Sequence, residues 1–375
     1  MESIAPQAAV GPRSTTDADA TEEELLDRHF LPAIAEADSG FLRYAIGTLA
    51  ALLVVLAAVF AFNAIVDPFS LIGERFLPPA VEPDRSIKLD LIQKLKTNPQ
   101  VVVLGSSRSR QAEPSFIDKL TGLKTGFNAG VTGGTASDAW VMTQNIAARF
   151  PHGKRSYIWF LDDQIATNGI NPQLAQDPRS RGYLGNKSVR FSLADVGTYI
   201  GFQATRKSFD VVKACIEGHC QSRIQYNPDG SLTGASLRYL PEDAPSLKKA
   251  VAAKLKTVRH ASLTLPPFKQ SHLAFFEKTL AWMNAHGSTP VIVLNPIYPS
   301  VYRLLQNRGS KREAEALAEL HKLQRHYRFV VVDCSDIRVW GGKARDFNNA
   351  THVNRRNMRR MLRYIVAHSH GALTR

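Results

Sequence analysis

The stretch Val101-Val-Val-Leu-Gly-Ser-Ser-Arg-Ser-Arg110 decides how this chain folds. Four apolar residues, three of them β-branched, run straight into a glycine and then into small hydroxyl side chains. A short β-branched run bounded by turn residues reads as a strand buried on both faces of a parallel sheet. In open α/β sheets, ligands bind beyond the C-terminal ends of the strands, near the point where strand order reverses. Ser106 and Ser107 fall there if Val101–Leu104 is the first, central strand. A serine in such a turn is either a nucleophile aimed into the crevice or a hydroxyl that caps the turn.

The pattern on either side is that of an α/β domain. Further strands are expected at Tyr157–Leu161, Val291–Leu294 and Phe329–Val332, with a weaker one near Gly126–Asn128. Helical spacing covers Ser86–Leu95, where Ile87, Leu89, Leu91, Ile92 and Leu95 supply an apolar face, and then Ala136–Phe150, Ser271–His286 and Arg312–His326. A last helix, Asn354–His368, sets Met358, Leu362, Ile365 and Val366 against a face of Arg355, Arg356, Arg359, Arg360 and Arg363. That basic face is either solvated or a contact for an anionic partner. About 167–267 the alternation breaks, and this segment is expected as an insertion or lid between the third and fourth strands.

Upstream, the 23 residues Tyr44–Val66 carry no charge. At about 1.5 Å per residue they match the roughly 30 Å hydrocarbon core of a bilayer. A signal peptide has a shorter apolar region closer to its start, and a buried core helix is seldom charge-free for so long. The expectation is a single-pass transmembrane helix at 44–66. It would follow a disordered acidic tail at 1–40 and precede a spacer and first helix at 67–98 and an α/β domain at 99–370. Arg28 and Arg43 on one flank, and Arg75, Arg85 and Lys88 on the other, leave the orientation undecided.

Charge is divided unevenly. Residues 1–40 hold two basic and nine acidic residues, net −7, while the remainder holds 45 basic and 24 acidic, net +21. Such a body favours anionic partners, namely lipid headgroups, acidic polysaccharide or nucleic acid. With no zinc-finger spacing or RNP-type aromatics, nucleic acid is not expected. Cys215 and Cys220 in CIEGHC are close enough to bridge, which would suit an oxidising periplasm. With His219 they are alternatively a metal site, although that spacing suits zinc poorly. No metal or other cofactor is called for. Cys334 is expected as a buried strand-end residue. Trp140, Trp159, Trp282 and Trp340 are expected to pack, with Tyr298 and Trp340 near strand ends where a sugar ring can stack.

A serine needs a base within hydrogen-bond reach. The candidate is His352, in DFNNATHVN just before the last helix. In this order the features resemble the SGNH/GDSL hydrolase family, and in particular its membrane-anchored, periplasmic branch related to polysaccharide O-acetylation proteins. Gly105-Ser106-Ser107 is similar to the family's first block, FNAGVTGGT to its glycine block, and Asn349-Ala-Thr-His352 to its Asp-x-x-His block; NAIVDPFSLIG resembles the branch's membrane-exit segment. The third block, Gly-x-Asn-Asp, is matched poorly by IWFLDDQ, which offers Asp163 near the Asn position.

The resemblance implies an SGNH-like fold, a flavodoxin-like three-layer sandwich with a mainly parallel sheet. It implies Ser107 as nucleophile, His352 as base, and an oxyanion hole from the N–H groups of Ser107 and Gly133, with Asp163 as a weaker third contributor. The departure lies in the triad acid. Asn349 orients an imidazole without balancing its charge, and the wrong tautomer is a risk; Asp346, three residues earlier, is the substitute. Arg108, next to the nucleophile, is either structural or a grip for an anionic substrate. The expected function is a serine esterase or O-acyltransferase on acylated polysaccharide or another envelope glycan. It would be held in a bacterial inner membrane with its C-terminal domain in the periplasm. The alternative is an inactive protein of the same fold that binds polysaccharide or serves envelope assembly.

Overall fold

A computed structural model of the chain describes residues 39–69, 77, 84–161, 170–185, 193–218, 225–234, 246–264 and 270–373. Of the expected acidic tail and the FLPPAVEP spacer, all but residues 39, 40 and 77 lie outside these ranges. The chain divides into two units after Ala61.

The first unit is described through helix α1 (Ser39–Val66), whose last turn, from Phe62 onward, belongs to the second unit. Within α1, Phe41–Val66 is long and apolar enough to cross a membrane. Phe41, Leu49, Leu52, Val54 and Val55 are exposed, so this is not the buried core helix of a soluble body.

The second unit is α/β. Its strands are β1 (Val101–Gly105), β2 (Phe127–Asn128), β3 (Ser156–Leu161), β4 (Val291–Leu294) and β5 (Val330–Asp333). They form one sheet in the order β2-β1-β3-β4-β5, and every pairing is parallel. The centre is therefore β3, and β1 is not the central strand that its sequence suggested. It sits instead where strand order reverses, with β2 on one side and β3 on the other, the position beyond whose C-terminal end open α/β sheets bind ligands.

The helices are α2 (Asp84–Lys94), α3 (Pro114–Thr121), α4 (Ala136–Arg149), α5 (Pro172–Gln176), α6 (Pro178–Arg181), α7 (Leu193–Ile200) and α8 (Phe202–Ile216). After them come α9 (Leu247–Val258), α10 (Gln270–Ala285), α11 (Pro299–Asn307), α12 (Arg312–Leu323) and α13 (Arg355–Ala367).

Alternation along the strands divides the core in two. Val102, Leu104, Tyr157, Trp159, Ile292 and Leu294 face Leu89, Ile92, Trp140, Leu280 and Met283 of α2, α4 and α10. Val101, Val103, Ile158, Phe160, Val291 and Val293 face Ile117, Met358, Leu362 and Ile365 of α3 and α13.

The insertion after β3 does lie between the third and fourth strands. One described part of it, an antiparallel bridge of Tyr226 with Leu232, folds back to the β2 edge, where Asn128 N donates to Asp229 O at 2.8 Å. Another part, α9, packs Val251 and Val258 against Val301 of α11 and Ala350.

Candidate active site

Gly105 ends β1 with φ +138°, and a Cβ there would stand 2.7 Å from the carbonyl oxygen of Phe160. Only glycine turns the chain at this point without pushing β3 away. The 3-10 turn Ser107–Ser109 follows. Ser106 caps it, its Oγ accepting from Arg108 N at 3.3 Å, and Ser109 Oγ donates to Ser106 O at 2.7 Å. The structural hydroxyls are thus Ser106 and Ser109. Ser107 Oγ lies 2.8 Å from His352 Nε2, and its N–H, at the first position of the turn, has no partner within the turn.

His352 arrives on a tight loop between the 3-10 turn Ala344–Asp346 and α13. Phe347 and Val353 form an antiparallel bridge, Asn348 N donates to His352 O at 2.8 Å, and Tyr298 N donates to Ala350 O at 3.0 Å. Within the loop Asn349 Oδ1 accepts from Thr351 N at 2.9 Å and His352 N at 3.0 Å. Those two donors decide which way the amide points, because Nδ2 in that place would face two N–H groups. The same Oδ1 is 3.0 Å from His352 Nδ1. An acceptor there requires Nδ1 to carry the proton, which leaves Nε2 bare toward Ser107. The tautomer risk raised by Asn349 is thereby answered by the loop. Thr351 Oγ1, 3.2 Å from Nδ1, also touches the ring.

Burial, and then the charges of Arg108 and Arg110, pull His352 down to about 4. Its imidazole is therefore neutral near pH 7 and ready to accept a proton, though as a weak base.

The FNAGVTGGT loop lies against the β1 turn. Val131 N donates to Gly105 O at 3.1 Å, and a Cβ on Gly134 would meet that carbonyl at 2.4 Å. Gly133 has φ +58° and open space where a Cβ would point. Helix α2 secures the loop with charges to which the sequence reading gave no role at the site; Arg85 and Lys88 entered it only as flanks of the apolar segment. Arg85 is buried and paired with Asp138 (Nε to Oδ1, 2.7 Å), and its Nη2 donates to Gly133 O at 3.4 Å. Asp84 accepts from Thr132 N at 2.8 Å and pairs with Arg110 at 3.2 Å. Burial opposes ionisation of Asp84, but Arg110, Thr132 and Tyr226 outweigh it and hold its carboxyl low. Lys88 donates to Asn128 O at 2.6 Å and to Gly230 O, with its Nζ 4.2 Å from the Tyr226 ring centre. Burial pulls Lys88 down to about 7 against the opposing charge of Asp84. The buried side of α2 is Asp84, Arg85, Lys88, Leu89 and Ile92, a helical stripe of three charged residues followed by two apolar ones. A count of apolar residues alone misses it.

Other expected site residues stand elsewhere. Asp346 is not the partner of His352: its Oδ2 binds Arg360 Nη1 at 2.6 Å, and its backbone carbonyl takes Asn354 N. Burial raises its carboxyl, but the bonds from Arg360 and Asn354 prevail and lower it. Asp163 lies outside the described residues. Arg108 is half-buried, and its charge is felt at His352. Trp340 is buried with Nε1 donating to Cys334 O at 2.9 Å, so it offers no face to a sugar; Tyr298 packs edge-on to Phe347. Cys215 is disulfide-bonded and Cys334 is free and buried, while His219 and Cys220 of CIEGHC lie outside the described residues.

The described atoms supply a hydroxyl with a neutral imidazole at hydrogen-bond distance, and the imidazole in a fixed tautomer. They also place a glycine-rich loop beside the turn. This arrangement is chemically able to deprotonate a serine as it attacks an electrophile. A scan against protein-family models and a comparison with curated proteins found no match to this chain.

Proposed function

We propose that this chain is a membrane-anchored, SGNH-like serine esterase or O-acyltransferase that acts on cell-envelope or exported polysaccharide. The observation that carries the proposal is the line of contacts from Ser107 Oγ through His352 to Asn349 Oδ1, at 2.8 and 3.0 Å. The strand order β2-β1-β3-β4-β5 supports it, being that of flavodoxin-like sheets with their ligand crevice at the β1/β3 reversal.

In this mechanism Ser107 Oγ attacks an acyl carbonyl while its proton passes to His352 Nε2. The oxyanion sits on the N–H groups of Ser107 and Gly133, each such donor contributing about 3–4 kcal/mol to transition-state stabilisation. The tetrahedral adduct expels the first alcohol, which takes the proton back from His352 and leaves an ester on Ser107. Water or a sugar hydroxyl then attacks that ester, again losing its proton to His352; the bond to Ser107 Oγ breaks, His352 returns the proton to Oγ, and the free acid or the acylated sugar leaves. In this reading Arg108, half-buried next to the nucleophile, holds an anionic part of the substrate.

The periplasm is the proposed compartment because Cys215 is in a disulfide, and such bonds persist where the environment is oxidising. The net +21 charge beyond residue 40 favours an anionic glycan over a neutral soluble ester.

The test is labelling of the full chain with a fluorophosphonate probe. Adduct on Ser107, lost in Ser107→Ala and His352→Ala, is the expected result. One observation favours the binding alternative: His352 is held near 4 with an uncharged Asn349 behind it. Unlabelled, folded wild type that still retains acetylated polysaccharide would select that reading instead.

A further inference from the structure

Outside α1, the exposed large apolar side chains among the described residues are Phe202, Phe209, Ile216 and Val339. The first three belong to α8. They are seven residues apart in sequence, two turns of helix each time, and so form a single stripe along it. Their exposures are 80%, 62% and 81%. The opposite face of α8 is already used, with Ala204, Ser208 and Val211 buried. Arg206 and Lys213, also seven apart and exposed, run beside the apolar stripe, with Lys207 exposed further round. Left in water, three such side chains in a row are an uncompensated apolar patch.

The position of α8 identifies what covers the stripe. The last turn of α1, which belongs to the same unit as α8, is fastened to it. The rings of Phe62 and Phe209 have centres 5.0 Å apart. Asn63 Nδ2 donates to Thr205 Oγ1 at 3.0 Å and to Tyr199 O at 2.6 Å, and the Tyr199 hydroxyl donates to Asp67. The middle of the stripe, at Phe209, thus meets the end of the apolar helix, which for a bilayer-spanning helix is the depth where hydrocarbon gives way to headgroups.

We infer that α8 lies in the membrane surface. Phe202, Phe209 and Ile216 enter the acyl–headgroup boundary, and Arg206 and Lys213 rest on anionic lipid headgroups. The pattern is that of an interfacial helix, with aromatic and aliphatic residues on one side and cations beside them. The inference rests on α1 spanning the bilayer and is independent of the chemistry at Ser107.

The test uses the full chain in vesicles of phosphatidylethanolamine and phosphatidylglycerol, with a spin label on Phe202→Cys or, on the side of α8 away from the stripe, Gln203→Cys. Cys215 is in a disulfide and Cys334 is buried, so neither competes for the label. The label at 202 should collide severalfold more with oxygen than with an aqueous nickel chelate, and the label at 203 should show the reverse. Equal access of the nickel chelate to both positions would overturn the inference. So would a label at 202 shielded from both reagents, which would mean a protein partner. Spin–spin broadening that fades on dilution with unlabelled chain would overturn it in favour of a second copy.

Discussion

An imidazole pulled down to about 4 has a direct kinetic signature. The neutral form is the working base, so activity should be flat from about pH 5 upward and fall as pH drops through about 4. Arg108→Gln removes a positive charge that disfavours the imidazolium, so the acid limb of kcat/KM should move to higher pH. Asn349→Asp places a negative charge at the position now 3.0 Å from Nδ1 and should move that limb upward as well. It should also raise kcat at pH 7, since each unit of pKa recovered corresponds to about 1.4 kcal/mol. His352→Ala should lower turnover by about 10²–10⁴-fold, the usual share of a general base. Ser107 and His352 were legible as a pair because a turn after a strand and a loop before the last helix both sit at one end of a parallel sheet. The role of Asn349 was only half legible. Its residue type raised the doubt about tautomer, and the answer lies in two backbone N–H groups that only the folded loop brings to Oδ1. Asp346 was misread because its partner, Arg360, reaches it from α13.

At the scale of elements, α2 does most to hold the glycine-rich loop beside the nucleophile turn. Arg85→Met would strand a buried Asp138 and should cost about 3–5 kcal/mol of stability, read as a lower denaturant midpoint. Fluorophosphonate labelling of Ser107 should slow in the fraction that remains folded, because the Gly133 carbonyl loses its anchor. Gly134→Ala, with 2.4 Å to the Gly105 carbonyl, should force the loop off the β1 turn and suppress labelling more strongly. Four of the five strands were legible to within a residue or so from short apolar, β-branched-rich runs, since burial on both faces leaves a continuous apolar signature, whereas β2, a Phe-Asn pair with no such run, was read only as a weaker strand. What escaped was the order of the strands and the inner face of α2. Pairing depends on contacts far apart in sequence, and a buried charged stripe carries no apolar period.

The whole molecule joins a membrane-length helix to an α/β body whose basic surface is partly committed internally. On α13, Arg355 and Arg359 pair with Glu113 at 3.0 and 2.7 Å, Arg360 pairs with Asp346, and Arg363 lies 5.2 Å from the Phe116 ring centre. That run, read from sequence as a solvated face or a contact for an anionic partner, fastens α13 to α3 and to its own preceding loop. The apolar helix was legible from length and composition alone, whereas the attachment of its last turn to α8 needed the fold. An alkaline phosphatase fused to the C-terminus should be active if the body is periplasmic; a silent fusion on a stable chain would place the body in the cytoplasm. The central claim, acyl transfer through Ser107, is tested most directly by trapping the acyl-enzyme on the full chain in vesicles. After brief exposure to p-nitrophenyl acetate, the account predicts a burst of p-nitrophenol stoichiometric with the chain and one acetyl group mapped to Ser107, both lost in His352→Ala. No burst from folded protein, or an acetyl group that persists in His352→Ala, would contradict it.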